Sequence, residues 1–311
     1  MLIGFSSTLP QNDLLVPAQE PSQPGSFEES QLHLLLSGTC TDRLFARFTC
    51  ERRSEFCTGA ELGFGGIEEG GRLSGRTALV TGASSGIGRA IALALSRLGV
   101  RLCIVGRNPI ALAQTVDAVR PFSHVTAFQI DLIFEQNLRP LLEHLERNVG
   151  RLDILIHSAG VIHLDPLERA NVEKLDLQYA TNVRAPYMLT QHLLPLLTAA
   201  RGQIVFINSS AGLTAKRPDV GQYGATKHAL KAIADSLREE VNSKGVRVLT
   251  VYLGRTATAM QEALFNQEGR AYHPESLLQP DDVASVVVQA LLLPSSAEVT
   301  DISLRPMQKS Y

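Results

Sequence analysis

A run of apolar and β-branched residues, Thr77–Thr81, passes through Gly82, Gly86 and Gly88 straight into an amphipathic stretch, Ile87–Leu98. No other feature of the chain constrains its fold as tightly. The junction reads Thr81-Gly82-Ala83-Ser84-Ser85-Gly86-Ile87-Gly88, with glycines where a tight turn and a close backbone approach need them. A helix that opens there presents unpaired N–H groups and the positive end of its dipole, the setting in which a pyrophosphate binds. Many glycine-rich turns merely join a strand to a helix. Here the position, after a strand and at the start of a βαβ unit, favours dinucleotide binding through Gly82, Ser84, Ser85, Gly86, Ile87 and Gly88.

From Leu73 onward β-rich runs alternate with helical stretches, which predicts a parallel sheet covered on both faces. The predicted strands are 77–81, 101–105, 125–130, 153–157, 203–208, 246–251 and 299–304. Helices are predicted over 87–98, 109–119, 135–148, 172–199, 221–242 and 280–292. Seven strands joined by crossovers make one α/β domain, 73–311, a doubly wound Rossmann fold with ligand at the carboxyl ends of the strands.

Residues 1–72 are different. They are rich in Gly, Ser, Pro and Gln, and ten acidic residues face five arginines and no lysine. Such a stretch buries too little apolar surface to offset chain entropy, so an N-terminal extension without fixed structure is expected. It matches neither a secretory signal nor an acid-poor transit peptide.

The formal net charge of −2 gives no field to recruit nucleic acid or an anionic membrane. The longest apolar stretches, 186–200 and 283–297, fall short of the roughly 18–20 residues of a spanning helix. Four cysteines show no C-x-x-C spacing, so no metal site is expected. Cys103 reads as a buried strand residue; Cys40, Cys50 and Cys57 give a slight hint of a reducing compartment, and a cytoplasmic location is expected.

Two further features carry chemistry. The second strand ends in Gly106-Arg107, where an acidic residue would otherwise meet the adenosine ribose. A guanidinium there receives a 2′-phosphate, so NADP is preferred over NAD; the alternative is a solvated loop charge. Tyr223 and Lys227 stand four residues apart, one helical turn, thirteen residues after Ser210. That spacing sets a phenol beside an ammonium, a proton donor with its acidifier.

With these residues in view, the chain from 73 to 311 resembles the short-chain dehydrogenase/reductase superfamily, in its compact one-domain branch. The resemblance is carried by the Thr81–Gly88 turn, Asp131, Ser158-Ala159-Gly160, Asn182, Ser210, Tyr223 with Lys227, and Gly254 with Thr258. It implies Tyr223 as acid/base and Lys227 as the group that lowers its pKa and binds the nicotinamide ribose. By the same resemblance Ser210 bonds the substrate oxygen and Asn182 holds a water. Asp131, Ser158, Ala159, Gly160 and Thr258 are then cofactor contacts. The implied substrate is a small carbonyl compound or alcohol, and the implied assembly a homodimer or homotetramer.

The chain departs from the family pattern twice. His157-Ser158-Ala159-Gly160 stands where Asn-Asn-Ala-Gly is usual, so the ties of this strand to its neighbour must be made differently. His157 itself reads as a satisfied strand-end residue. Leu253-Gly254 replaces a usual Pro-Gly. The segment 254–280 is expected to form a substrate lid, and Arg217 and Arg255 read as surface residues, with steering of an acidic substrate as the alternative. A non-catalytic NADP(H)-binding regulatory protein on the same fold is the competing function.

Overall fold

The structure, a computed structural model, describes residues 72–308. The expectation for residues 1–72 therefore lies, but for Arg72, outside the described residues.

Seven strands form one sheet: β1 (Thr77–Thr81), β2 (Arg101–Gly106), β3 (Val125–Gln129), β4 (Ile154–His157), β5 (Gln203–Ser209), β6 (Arg247–Leu253) and β7 (Asp301–Leu304). All pair in parallel, in the spatial order β3-β2-β1-β4-β5-β6-β7. Among the described residues the α-helices are α1 (Gly86–Arg97), α2 (Pro109–Val119), α3 (Arg139–His144), α4 (Val172–Tyr179), α5 (Ala185–Ala200), α6 (Gly221–Val241), α7 (Ala259–Gln267) and α8 (Pro280–Leu292). None is long and apolar enough to cross a membrane.

Side chains alternate across a strand, so each strand feeds two cores. Ala78 and Val80 pack on one face against Ile91 and Leu95 of α1 and Val283 and Val287 of α8. Leu79 points the other way, into a cluster with Leu189 and Leu193 of α5 and Leu230 and Ala234 of α6. Central strands are buried on both faces for this reason, and removing one such leucine to alanine costs about 2–5 kcal/mol.

Two predicted helices are interrupted, each beside a proline. The stretch predicted as 135–148 divides into a 3₁₀ turn, Glu135–Leu138, then α3, with Pro140 in its first turn, then a π turn, Leu145–Val149. The predicted 172–199 helix widens into a π turn at Ala180–Arg184. Pro186 follows in the first turn of α5, and it lacks the N–H that an α-helix would give to the carbonyl of Asn182. Wide turns of this kind recur at functional sites.

The chain winds outward from β1 to β3, then returns to the other side of β1 as β4. This reversal sets the carboxyl ends of β1 and β4 side by side, with Thr81 in register with His157, and opens a crevice there. The segment read as a lid is not all loop: it contains α7, whose amino end is capped by Thr258 accepting a hydrogen bond from the Gln261 N–H at 3.2 Å.

Candidate active site

Two cavities lie along the carboxyl edge. One of about 340 Å³ is lined by Gly82, Ser84, Ser85, Gly86, Ile87 and Gly88 together with Gly106, Arg107 and Asp131. The other, about 780 Å³, is lined by Ser209, Ser210, Tyr223, Lys227 and Asn208. Ile87, Ser158, Ala159, Gly160 and Thr258 line both, so the two form one continuous cleft.

The glycines of the first cavity are dictated by space. Gly82 has φ +67°, and a Cβ on it would lie 2.8 Å from the Ala159 backbone. A Cβ on Gly88 would come within 2.4 Å of the Gly82 carbonyl oxygen, so α1 can meet the turn this closely only with glycine there. Ser85, the residue before α1, is extended and its side chain caps nothing. The amino end of α1 therefore keeps its N–H groups and dipole for the cavity, and the cradle fits a diphosphate.

Arg107 is exposed at the lip of this cavity, one residue beyond Gly106. Asp131 caps no helix; its Oδ1 accepts the Ile133 N–H at 3.3 Å and its carbonyl accepts from Asn137. Thr258 lies across the turn, its methyl 3.0 Å from where a Cβ of Gly86 would be.

The strand ends are tied by Thr81. Its hydroxyl donates to the Ile156 carbonyl at 3.2 Å and accepts the N–H groups of Ser158 and Ala159 at 3.1 and 3.2 Å. Backbone bonding through Thr81 thus does the tying that the departure at His157-Ser158 left open. His157 is turned into the interior, with Nε2 at 2.8 Å from the Thr190 hydroxyl and its ring stacked on Phe206. Burial pulls its pKa down to about 3, so it is neutral.

Tyr223 and Lys227 both face the larger cavity. The Tyr223 ring packs beside Leu164, Val220 and Leu264, and burial pushes its phenol up to about 12, offset in part by the Ser209 side chain. Lys227 is buried, donates to the Ile207 carbonyl at 3.3 Å and is drawn down to about 8 by desolvation. Its Nζ lies 5.8 Å from the centre of the Tyr223 ring. The pair is brought together, but burial rather than the ammonium dominates the phenol.

Spacing singled out Ser210; the side chain that acts on the pKa of the phenol is that of Ser209. β5 runs one residue further than expected, to Ser209, which pairs with Leu253. Ser210 is exposed and begins a 3₁₀ turn, Ser210–Gly212, although it still lines the cavity. The Ser209 Oγ is oriented by accepting the Ala211 N–H at 3.2 Å.

Asn182 is buried, and its side chain is fully engaged: Oδ1 accepts from Val161 N–H and Nδ2 donates to the Val161 carbonyl, both at 2.9 Å, and Nδ2 also reaches Thr226. It clamps the segment after β4 to the helix that carries Tyr223. Asn208, not singled out from sequence, plays a similar part. It donates to the Lys227 carbonyl at 3.1 Å and accepts the Ser209 N–H at 2.8 Å, fixing β5 to α6.

A family model described as short chain dehydrogenase matches residues 76–269. An uncharacterized oxidoreductase of Staphylococcus epidermidis is 32% identical over 233 residues, covering 75% of this chain and 97% of that one. An uncharacterized short-chain type dehydrogenase/reductase of Sinorhizobium fredii is 33% identical over 235 residues, 74% of this chain and 90% of its own. A Shigella flexneri structure complexed with NADP superimposes with a TM-score of 0.67 at 31% identity, covering 74% of this chain and 97% of that chain.

Proposed function

The chain belongs to the short-chain dehydrogenase family of oxidoreductases, and on that premise we propose that it is NADP(H)-dependent and interconverts a carbonyl and an alcohol with Tyr223 as acid/base. One observation carries the reading: Tyr223, with Ser209 and Lys227, lines a cavity continuous with the glycine cradle. When bound, the nicotinamide supplies or accepts the hydride. The turn from Gly82 to Gly88 would hold the pyrophosphate, Arg107 the 2′-phosphate, and Asp131 the adenine. Ser158, Ala159, Gly160, Lys227 and Thr258 would line the remainder.

The protein's own groups handle the proton. A phenol pushed up to about 12 is protonated at neutral pH, so in reduction it is a loaded donor to the carbonyl oxygen. The Ser209 hydroxyl stabilises charge that develops on that oxygen. Asn182 and Asn208 act by position, holding the Val161 backbone and the Lys227 turn.

NADPH oxidation over a panel of small ketones and aldehydes tests this. Tyr223→Phe is expected to lower turnover on the order of 10²–10⁴-fold while NADPH still binds. If the unaltered protein binds NADPH and turns over nothing, the non-catalytic reading takes its place.

Cytoplasmic residence belongs to the same proposal, in keeping with Cys103, a free buried thiol. So does self-association through α4 and α5, where Val172, Tyr179 and Tyr187 are exposed apolar surface. Light scattering at micromolar concentration is expected to give a dimer or tetramer, and a monomer would refute it.

A further inference from the structure

The wall of the larger cavity is apolar around Tyr223 but not throughout. Lys216, Arg217, Arg255 and Arg270 line it together with one carboxylate, Glu268. Asp219, behind Arg217, is the second acid of the group. Four cations face two carboxylates.

Glu268 is already saturated. Arg255 Nη2 donates to both its oxygens, at 2.8 and 2.9 Å, and Arg217 and Arg270 each add a bond at 3.0 Å. This company holds the Glu268 carboxyl below the usual range despite its burial. Arg255 has a donor left over. Among the described residues its Nη1 is the one charged atom buried without a hydrogen-bond partner. A buried charged donor with no acceptor is costly until an acceptor arrives. The guanidinium lies over the Phe265 ring, 4.7 Å from its centre, and keeps 17% of its side-chain surface exposed. Lys216, beside Arg217, is exposed and forms no ion pair among the described residues.

The placement connects this charge to the chemistry. Ser209 pairs in register with Leu253, and Arg255 follows two residues later. It therefore leaves the sheet within roughly 7 Å of chain from the strand pair that presents Ser209. Between the two ends the wall is Val161, Ile162, Leu164, Val220 and Leu264.

We propose that the substrate is an acid: its carbonyl or carbinol carbon meets Tyr223, a short apolar chain fills the middle, and a carboxylate pairs with Arg255, with Lys216 adding charge at the mouth. Nη1 is covered by protein, so pairing turns the guanidinium locally, and the missing acceptor favours that turn. A carboxylate matches the planar edge of a guanidinium whose other edge is taken by Glu268. The proposal rests on the oxidoreductase reading and adds the substrate class to it.

The experiment compares oxo acids with their methyl esters, skeleton for skeleton, with NADPH. The acid is expected to be preferred by about 10–100-fold in kcat/KM, the worth of one charged hydrogen bond. Arg255→Met is expected to remove that preference, mainly through KM, and to leave the ester within about threefold. Arg255→Lys restores part of it. Equal turnover of acid and ester by the unaltered protein, equal loss of both in Arg255→Met, or preference for a phosphate monoester over the acid would overturn the proposal. Should Arg255→Met lose its fold by circular dichroism, Lys216→Met decides: a several-fold loss on the acid alone, reproduced by added salt, supports it, and no difference refutes it. Turnover of esters without preference for acids defeats this inference alone. No turnover of either series defeats this inference, and the oxidoreductase reading falls with it only where the ketone and aldehyde panel is inert as well.

Discussion

The Ser209 side chain lowers the pKa of the Tyr223 phenol against the effect of burial, while Ser210, next in the chain, is exposed at the start of a 3₁₀ turn. Removing a donor aimed at developing charge typically costs about 10²–10³ in turnover. Ser209→Ala is therefore expected to lose that much kcat. Ser210→Ala should lose less than about tenfold, since its hydroxyl only lines the cavity. Steady-state kinetics of the two variants on one substrate separates them, and the reverse ranking returns the role to Ser210.

Spacing and structure point to neighbouring serines, and the reason is instructive. Side chains alternate along a strand, so a one-residue change in where β5 ends decides which hydroxyl faces the phenol. Nothing in the distance from Ser210 to Tyr223 encodes that end. The central strands were legible because each is a short apolar run buried on both faces, and α2 and α8 because Pro109 and Pro280 mark their first turns. α7 was passed over although Thr258-Ala-Met-Gln261 has the T-x-x-Q form of a capping box. The turn at Asn182 also had a signal, Pro186 four residues on. The partner of His157 had none: Thr190 is 33 residues away, and only the folded sheet brings it close.

His157 gives the stability of this protein an acid-side dependence. Its folded pKa is about 3 against an ordinary 6.5, because burial disfavours the charged ring. The unfolded chain therefore binds a proton below pH 6.5 that the folded one refuses. The contribution of neutral His157 is complete above 6.5 and is lost as pH falls toward 3, at up to about 1.4 kcal/mol per pH unit. His163 shifts in the same direction, chiefly by burial, and is common to both proteins compared. Between pH 7 and 5, urea unfolding should show the unaltered protein losing about 2 kcal/mol more than His157→Asn. Equal losses would remove His157 as the source.

Arg107 is the residue on which nucleotide preference turns. Gly106 lets the end of β2 approach the glycine turn, since a Cβ there would lie 3.0 Å from the Ser84 side chain. The guanidinium that follows is exposed on the cavity lip, and no carboxylate among the described residues neutralises it. A charged group so placed favours a ligand with an extra phosphate and is indifferent to one without. Arg107→Ala is expected to raise the Kd for NADPH by about 10–100-fold and to leave that for NADH within about threefold. The NADPH loss should shrink as salt is added, because an exposed ion pair is screened. Fluorescence titration with both nucleotides measures it. An equal loss for the two would mean that Arg107 supports the turn itself rather than the 2′-phosphate.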